Sequence, residues 1–186
     1  RRLIGRGLRH DVLVTAGGVS VGAFDYVRDE LRTSGAREVF WQVAQRPGKP
    51  LLFAVAGKTL VFGLPGNPVS SVVSAHLYVC PALRRMRGLR EVFPPRLRLP
   101  LATPVSQPAT LHTFHRVSFA VKSGRVWVSP TTENQGSGVF SSMIAAHGLT
   151  SLPPGADVHR AGEEIDVLVL DTAALARAVA EASHGA

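Results

Sequence analysis
The sequence predicts an α/β domain with a mostly parallel sheet over residues 1–93, a small all-β barrel over 94–171 and an alanine-rich tail over 172–186. Three observations predict it. A short apolar run passes through a glycine-rich turn into a helical pattern between Asp11 and Leu31, and the same happens between Leu60 and Met86. That alternation is how strands joined by crossover helices read in sequence. Beyond the rigid pair Pro94-Pro95 the apolar runs shorten to strand length and turn residues separate them.

Each element follows in order. Leu3–His10 reads as the end of a helix, and Asp11–Thr15 (DVLVT) is a short apolar run typical of a buried strand. After the turn Ala16–Gly22, Asp25 is placed to cap a helix that carries Val27 and Leu31 on one face and closes near Gly35. Val39–Val43 is a second strand, and Leu51–Val55 with Leu60–Phe62 flank Gly57-Lys58 as a hairpin. Gly63–Pro68 turns into a helix over Pro68–Met86, with Asn67 as N-cap, Gly88 as stop and Pro81 bending or dividing it. In the second half Arg96–Leu101, Thr113–Val121, Arg125–Ser129 and Ile165–Leu170 are strands, with turns at Ser123-Gly124 and Pro153-Pro154-Gly155. A sandwich is the alternative to a barrel. The tail forms one helix or frays.

Bulk composition narrows the function. Over 186 residues the hydrophobic share is 45% and the charged share 18%, ordinary for a globular chain that buries a core. A net charge of +8 points to an anionic partner. The basic residues are spread and aromatics reach only 6%, which speaks against a nucleic-acid stacking surface and leaves small-molecule anions. Cys80 is the only cysteine, so neither a disulfide framework nor a thiolate cage is available, and the cytoplasm is the expected compartment. The apolar runs fall short of the roughly 20 residues needed to cross a bilayer, and Arg1–Gly7 does not read as a signal peptide.

Chemistry is concentrated at the turns. TAGGVSVG (15–22) sets Gly17, Gly18 and Gly22 between a strand and a helix, where backbone N–H groups and the helix terminus can face an anion and Ser20 adds a hydroxyl. It is neither a P-loop nor the dinucleotide fingerprint, and a tight turn without a ligand is the alternative. GLPGNPVS (63–70) repeats the arrangement: Pro65 and Pro68 fix the chain, Gly66 permits an unusual backbone angle, and Asn67 or Ser70 caps the helix or donates to a ligand. In an open α/β sheet both turns lie beyond the carboxyl ends of the strands, where ligands bind.

RPGKP (46–50) offers Arg46 and Lys49 on a proline-stiffened loop, suited to a small oxyanion or simply solvated. Asp25 could ligate Mg2+ beside a phosphate or only cap its helix. His112 and His115 sit three apart on an apparent strand, which sends them to opposite faces and makes poor metal geometry. His76 and Cys80 share a helix face and read as core or interface, and no hydrolase signature is visible.

TAGGVSVG followed by Asp25-Tyr26, then RPGKP, then GLPGNPVS resembles the molybdopterin molybdenumtransferase family, which includes the gephyrin E domain. FHR at Phe114–Arg116, NQ at Asn134-Gln135 and SSMIAAHGLTSLP at Ser141–Pro153 extend the resemblance over nearly the whole chain. The resemblance implies a molybdopterin-binding α/β domain followed by a β-barrel, the third and fourth of the family's four domains. It also implies a reaction: molybdate and adenylylated molybdopterin give molybdenum-loaded pterin and AMP, with Mg2+ assisting.

By matching positions, Gly17, Gly18, Ser20 and Asp25 would serve the phosphate and metal side, with Asp25 and Lys49 as the catalytic pair. Pro65, Gly66, Asn67, Pro68 and Ser70 would frame the pterin, and Arg46, Lys49, Arg116 and Ser142 would surround molybdate. Three departures stand out: Arg46 replaces a usual lysine, Gly138 a usual serine and His147 a usual asparagine. Measured against the family, the chain is expected to be a fragment without the first two domains and the opening strand of the third. It is therefore expected to turn over poorly by itself or to act as a non-catalytic binding module. A homodimer and a contact with molybdopterin adenylyltransferase are implied for the full-length protein.

Overall fold
In the computed structural model, which describes residues 2–20, 26–136 and 138–184, the chain divides after Cys80 into two units, Arg1–Cys80 and Pro81–Ala186. The first contains α1 (Arg2–Gly7), β1 (Val12–Ala16), α2 (Val27–Thr33), β2 (Arg37–Trp41), the two-residue β3 (Gln45–Arg46), β4 (Leu52–Ala56), β5 (Thr59–Leu64) and α3 (Pro68–Ser74). A π-helical turn, Ala75–Val79, links α3 to α4 (Cys80–Met86).

β1, β5, β4 and β2 lie in that order in one sheet. Only β1 and β5 are parallel neighbours; β4 runs antiparallel to both β5 and β2. The sheet is therefore mixed, which corrects the expectation of a mostly parallel one. The cause is the Gly57-Lys58 turn, with φ +59 at Gly57, which folds β4 back along β5 and seats it between two strands that point the other way.

Side chains alternate across this sheet as the pleat requires. Leu13, Leu52, Ala54 and Val61 face one core with Ile4 of α1 and Leu31 of α2. Leu52 and Val61 are almost wholly removed from water, and burying each contributes about 1.5–3 kcal/mol. On the reverse face Phe62, Phe53 and Phe40 form a row with centroids 5.0 and 5.6 Å apart, and Phe40 meets Tyr78 of the π turn at 6.4 Å. Pro81 divides the helix as its ring requires: it has no N–H and collides with a regular carbonyl four residues back. The widened turn ahead of it absorbs the conflict, and Cys80 N donates five residues back to Ala75 O. α4 then ends at Gly88 (φ +77), where Leu89 N bonds Arg84 O and Gly88 N bonds Arg85 O, a Schellman closure.

The second unit contains β6 (Arg96–Pro100), β7 (Val105–Ser106), β8 (His112–Thr113), β9 (Arg116–Lys122), β10 (Arg125–Pro130), α5 (Ser141–Ile144), β11 (Gly148–Thr150), β12 (Val158–His159), β13 (Glu164–Val169) and α6 (Thr172–His184). Five strands make an antiparallel sheet in the order β10-β9-β11-β13-β6, and β7 pairs with β12. The edges β6 and β10 approach one another at the bridge Leu101–Val128, but no ladder closes the sheet among the described residues. The strands fit the expected small all-β domain, and no closed barrel is found among the described residues. Pro100 and Pro130 end the two edge strands beside that bridge and have no N–H with which a ladder could continue. Leu101, Val117, Val128, Leu152, Ile165 and Val167 form the core. The alanine-rich tail is a helix whose Ala178 and Ala182 pack on Val126, Phe119 and Val121.

Candidate functional site
Because β1 and β5 are parallel neighbours in register, their last residues Ala16 and Leu64 lie side by side, and both glycine turns leave the same edge of the sheet. Gly17 N extends the ladder by donating to Leu64 O at 2.9 Å. The turns touch. A Cβ built on Gly66 would lie 3.4 Å from the Gly17 Cα, and one on Gly17 would lie 3.7 Å from the Gly66 Cα. Gly17 (φ +87) and Gly18 (φ +74) are both left-handed, and a side chain on Gly18 would run into Val27 at 2.5 Å. Between them and the exposed Ser20, Val19 drops into the core while its carbonyl accepts the Trp41 indole N–H at 2.7 Å. Gly22 and the predicted catalytic and metal residue Asp25 lie outside the described residues.

In the second turn Pro65 is buried, and its carbonyl accepts the Ser71 hydroxyl. Asn67 is extended (φ −72, ψ 126) and its Oδ1 accepts Ser70 N at 3.2 Å, so it caps α3 as predicted, with Pro68 in the first helical position. Gly66 and Pro68 are exposed and Ser70 is buried. Capping engages the oxygen of Asn67. Its amide nitrogen is the part that remains suited to an acceptor on a ligand.

The RPGKP loop folds against α3. Val43 N and Leu51 N both donate to Lys49 O, at 3.0 and 2.9 Å, closing the loop at its mouth. The Arg46–Pro47 peptide is cis, and Arg46 and Lys49 are exposed. Gly48 (φ +99) lies so close to α3 that a Cβ there would meet Ser74 Oγ at 2.6 Å. Beneath the loop the buried Gln45 donates from Nε2 to Pro47 O at 3.0 Å and accepts at Oε1 from the Tyr78 hydroxyl. Neither residue is among the predicted site positions. They are 33 positions apart, on a strand and a π turn, and no spacing rule joins them.

In the second unit Arg116 and Ser142 do come together. Arg116 Nε donates to Ser142 Oγ at 3.0 Å and NH2 to Gly136 O at 3.2 Å, while Ser142 donates to Val139 O at 2.6 Å. Gln135 Oε1 accepts Arg116 N at 2.8 Å, so the FHR, NQ and SSM stretches converge on one buried knot. His147, standing where asparagine is usual, accepts Phe119 N at its Nδ1 at 3.0 Å, an acceptor role that an amide oxygen can equally fill. A Cβ on Gly138 would meet nothing within 4 Å. His112 bonds Ser151 Oγ at 3.0 Å and stacks on Phe114. Among the described residues no three His, Cys, Asp or Glu gather to hold a metal ion, and no helix is long and apolar enough to cross a membrane.

Comparisons agree with this layout. A family model described as a probable molybdopterin binding domain matches residues 2–85, and one described as the MoeA C-terminal region (domain IV) matches residues 98–170. A molybdopterin molybdenumtransferase of Synechococcus elongatus is 41% identical over 158 residues, 84% of this chain and 38% of the relative. One from Staphylococcus aureus is 32% identical over 164 residues, 88% of this chain and 39% of the relative. The chain thus spans about two fifths of the length of these curated relatives. The crystal structure of a molybdopterin biosynthesis moea protein from Pyrococcus horikoshii superposes with a TM-score of 0.72 at 25% identity, over 90% of this chain and 39% of that one. A molybdenum cofactor biosynthesis protein from Pyrococcus furiosus shares the fold, with a TM-score of 0.67 at 23% identity over 91% of this chain and 53% of that one. Two family models in chain order, with relatives and structures that match across both, show that the chain belongs to the molybdopterin molybdenumtransferase family.

Proposed function
We propose that this chain binds adenylylated molybdopterin at the paired glycine turns and serves the insertion of molybdate into it with release of AMP. One observation carries the reading: the two turns lie in contact at the carboxyl ends of adjacent parallel strands. Gly18 and Ser20 offer N–H and O–H groups to phosphate oxygens, Gly17, whose N–H is held by Leu64 O, contributes its left-handed turn, and Pro65, Gly66, Asn67, Pro68 and Ser70 frame the pterin. Arg46 and Lys49 receive molybdate on the exposed side of their loop. Insertion exchanges molybdate oxygens for the two pterin thiolates, the displaced oxygens leaving with protons as water, and attack of water on the phosphoanhydride breaks its P–O bond to give AMP and the pterin phosphate. Fixed donors lower the cost of the charge that develops on the phosphate oxygens.

Mg2+ is the ion that would assist this chemistry, and among the described residues no three His, Cys, Asp or Glu gather to hold it. Asp25 is the carboxylate that would bring the ion to the phosphates, and Asp25→Asn should abolish any dependence of AMP release on Mg2+. Arg116 gives Nε to Ser142 Oγ, which sets the guanidinium and that hydroxyl side by side as proposed oxyanion ligands. Ser142→Ala should weaken molybdate binding severalfold, and unchanged affinity would remove Ser142 from the proposed ligands.

Calorimetric titration with adenylylated molybdopterin, followed by an assay for AMP after molybdate is added, tests the reading. Binding with AMP release supports the enzyme. Binding without it supports a non-catalytic module. Absence of saturable binding overturns both. A homodimer and a complex with an adenylyltransferase belong to the same proposal, and sedimentation equilibrium of the chain, alone and mixed with that enzyme, measures each.

A further inference from the structure
The geometry points to Tyr78 as a positioning residue for the RPGKP loop: acting through Gln45, it holds Arg46 and Lys49 in the arrangement that takes an oxyanion. This rests on the reading that those two cations bind molybdate.

The loop has a mouth and an interior, and they are held differently. Val43 N and Leu51 N bonded to Lys49 O close the mouth. Inside, Pro47 has no N–H to give, and the side-chain tie is Gln45 Nε2 donating to Pro47 O at 3.0 Å. That amide is 4% exposed, so both of its ends need partners within the protein. Nε2 has Pro47 O, and Oε1 has the phenol of Tyr78. Burial pushes the Tyr78 phenol above its ordinary value, which keeps it protonated and able to donate.

Tyr78 reaches Gln45 because of the π turn. Ser70, Ser74 and Tyr78 are spaced four apart, and in a continuous α-helix positions four apart drift by about 40° at each step. The extra residue in the turn Ala75–Val79 reverses that drift between Ser74 and Tyr78. Tyr78 thereby returns to the face where Gly48 rests on Ser74 Oγ and Ser70 O. Its ring is held there by Phe40 at 6.4 Å. The order of cause runs from Pro81 to the π turn, to Tyr78, to Gln45 and to the loop.

Tyr78→Phe keeps the ring and its contact with Phe40 but removes the donor. In the full 186-residue chain, molybdate affinity should fall about tenfold, while affinity for adenylylated molybdopterin stays within about twofold. Amide exchange at Val43, read by NMR, should quicken. Gln45→Leu should cause the same loss of molybdate affinity, and adding Tyr78→Phe to it should cost nothing further, because Tyr78 acts through that amide. Unchanged molybdate affinity in Tyr78→Phe, a parallel loss for both ligands, or additive losses in the double variant each overturn the proposal. If the unaltered chain binds no molybdate, the assignment of Arg46 and Lys49 falls by itself. Exchange at Val43 then decides the positioning, and an unchanged rate in Tyr78→Phe overturns it.

Discussion
At the scale of single residues, the candidate site is built where two requirements coincide on one atom or one angle. Asn67 is both the cap of α3 and a proposed pterin contact. Its two roles separate by substitution. Asn67→Ala should lower unfolding free energy by about 1 kcal/mol in denaturant titrations, the usual worth of such a cap. Asn67→Asp keeps the capping oxygen and hence the stability, yet places a negative charge beside an anion and should weaken pterin-nucleotide binding severalfold. Equal binding by the Asp variant would leave Asn67 as a cap alone. Gly18 combines a left-handed φ of +74 with a Cβ position 2.5 Å from Val27 Cγ2. Gly18→Ala should cost about 1–3 kcal/mol, and Val27→Ala in the same chain should recover only the steric part, because the backbone strain remains. Most of these residues are legible in the sequence because glycine and proline report backbone angles directly. Gln45 and Tyr78 are not, since a hydrogen bond between positions 33 apart leaves no local pattern.

At the scale of elements, the sequence identifies the longer pieces and misses those with too few residues to show a period. β7 and β12 have two residues each, and β11 and α5 have three and four, fewer than alternation or helical spacing needs. The mixed sheet is a different case: the Gly57-Lys58 hairpin is visible in sequence, and the direction it imposes on β4 outweighs the strand–turn–helix pattern around it. Between α2 and β2, Arg28 makes a two-pronged bond to Glu38 (2.8 and 2.9 Å) and lies 3.6 Å over the Trp41 ring, whose N–H holds Val19 O in the first glycine turn. Hydrogen bonding from Arg28 holds the Glu38 carboxyl below the ordinary glutamate range. The native state therefore favours the deprotonated form. Its stabilisation is present above the unfolded glutamate value and is lost as pH falls through the lower folded value. Glu38→Gln should flatten the acid limb of a plot of Tm against pH and leave the neutral plateau lower. An unchanged acid limb would place the acid sensitivity elsewhere. Pro81→Ala removes the reason for the π turn; if the helix regularises, Tyr78 leaves Gln45 and molybdate affinity should fall as in Tyr78→Phe even though helicity rises.

At the scale of the whole molecule, a net charge of +8 attracts anions of every kind, so affinity alone does not identify the partner. Salt dependence does. A polyanion that displaces many counterions loses affinity steeply with salt, by a log–log slope close to the number of phosphates neutralised. A pterin nucleotide with few phosphates, gripped by backbone N–H groups at the glycine turns, should show a slope of about −2 or shallower. Turnover is a separate question from binding, because binding is local to the turns while catalysis needs every group that meets the transition state. The turns, the RPGKP loop and the Arg116 knot are formed within a chain that spans 38% of its Synechococcus relative. The proposed pterin and molybdate groups are thus local, and affinity for adenylylated molybdopterin should lie within about tenfold of that of the longer relative. AMP release by these 186 residues, measured beside that relative, shows whether they hold every reacting group, and a rate at least about a hundredfold lower is the size of effect expected of incomplete positioning. Both numbers come from one preparation, by calorimetry and by chromatography of AMP, so a misfolded sample would fail on both. Matching rates would show that these two units hold the complete catalytic apparatus, and loss of affinity along with rate, in a sample that still unfolds cooperatively on heating, would remove the paired turns as the seat of binding.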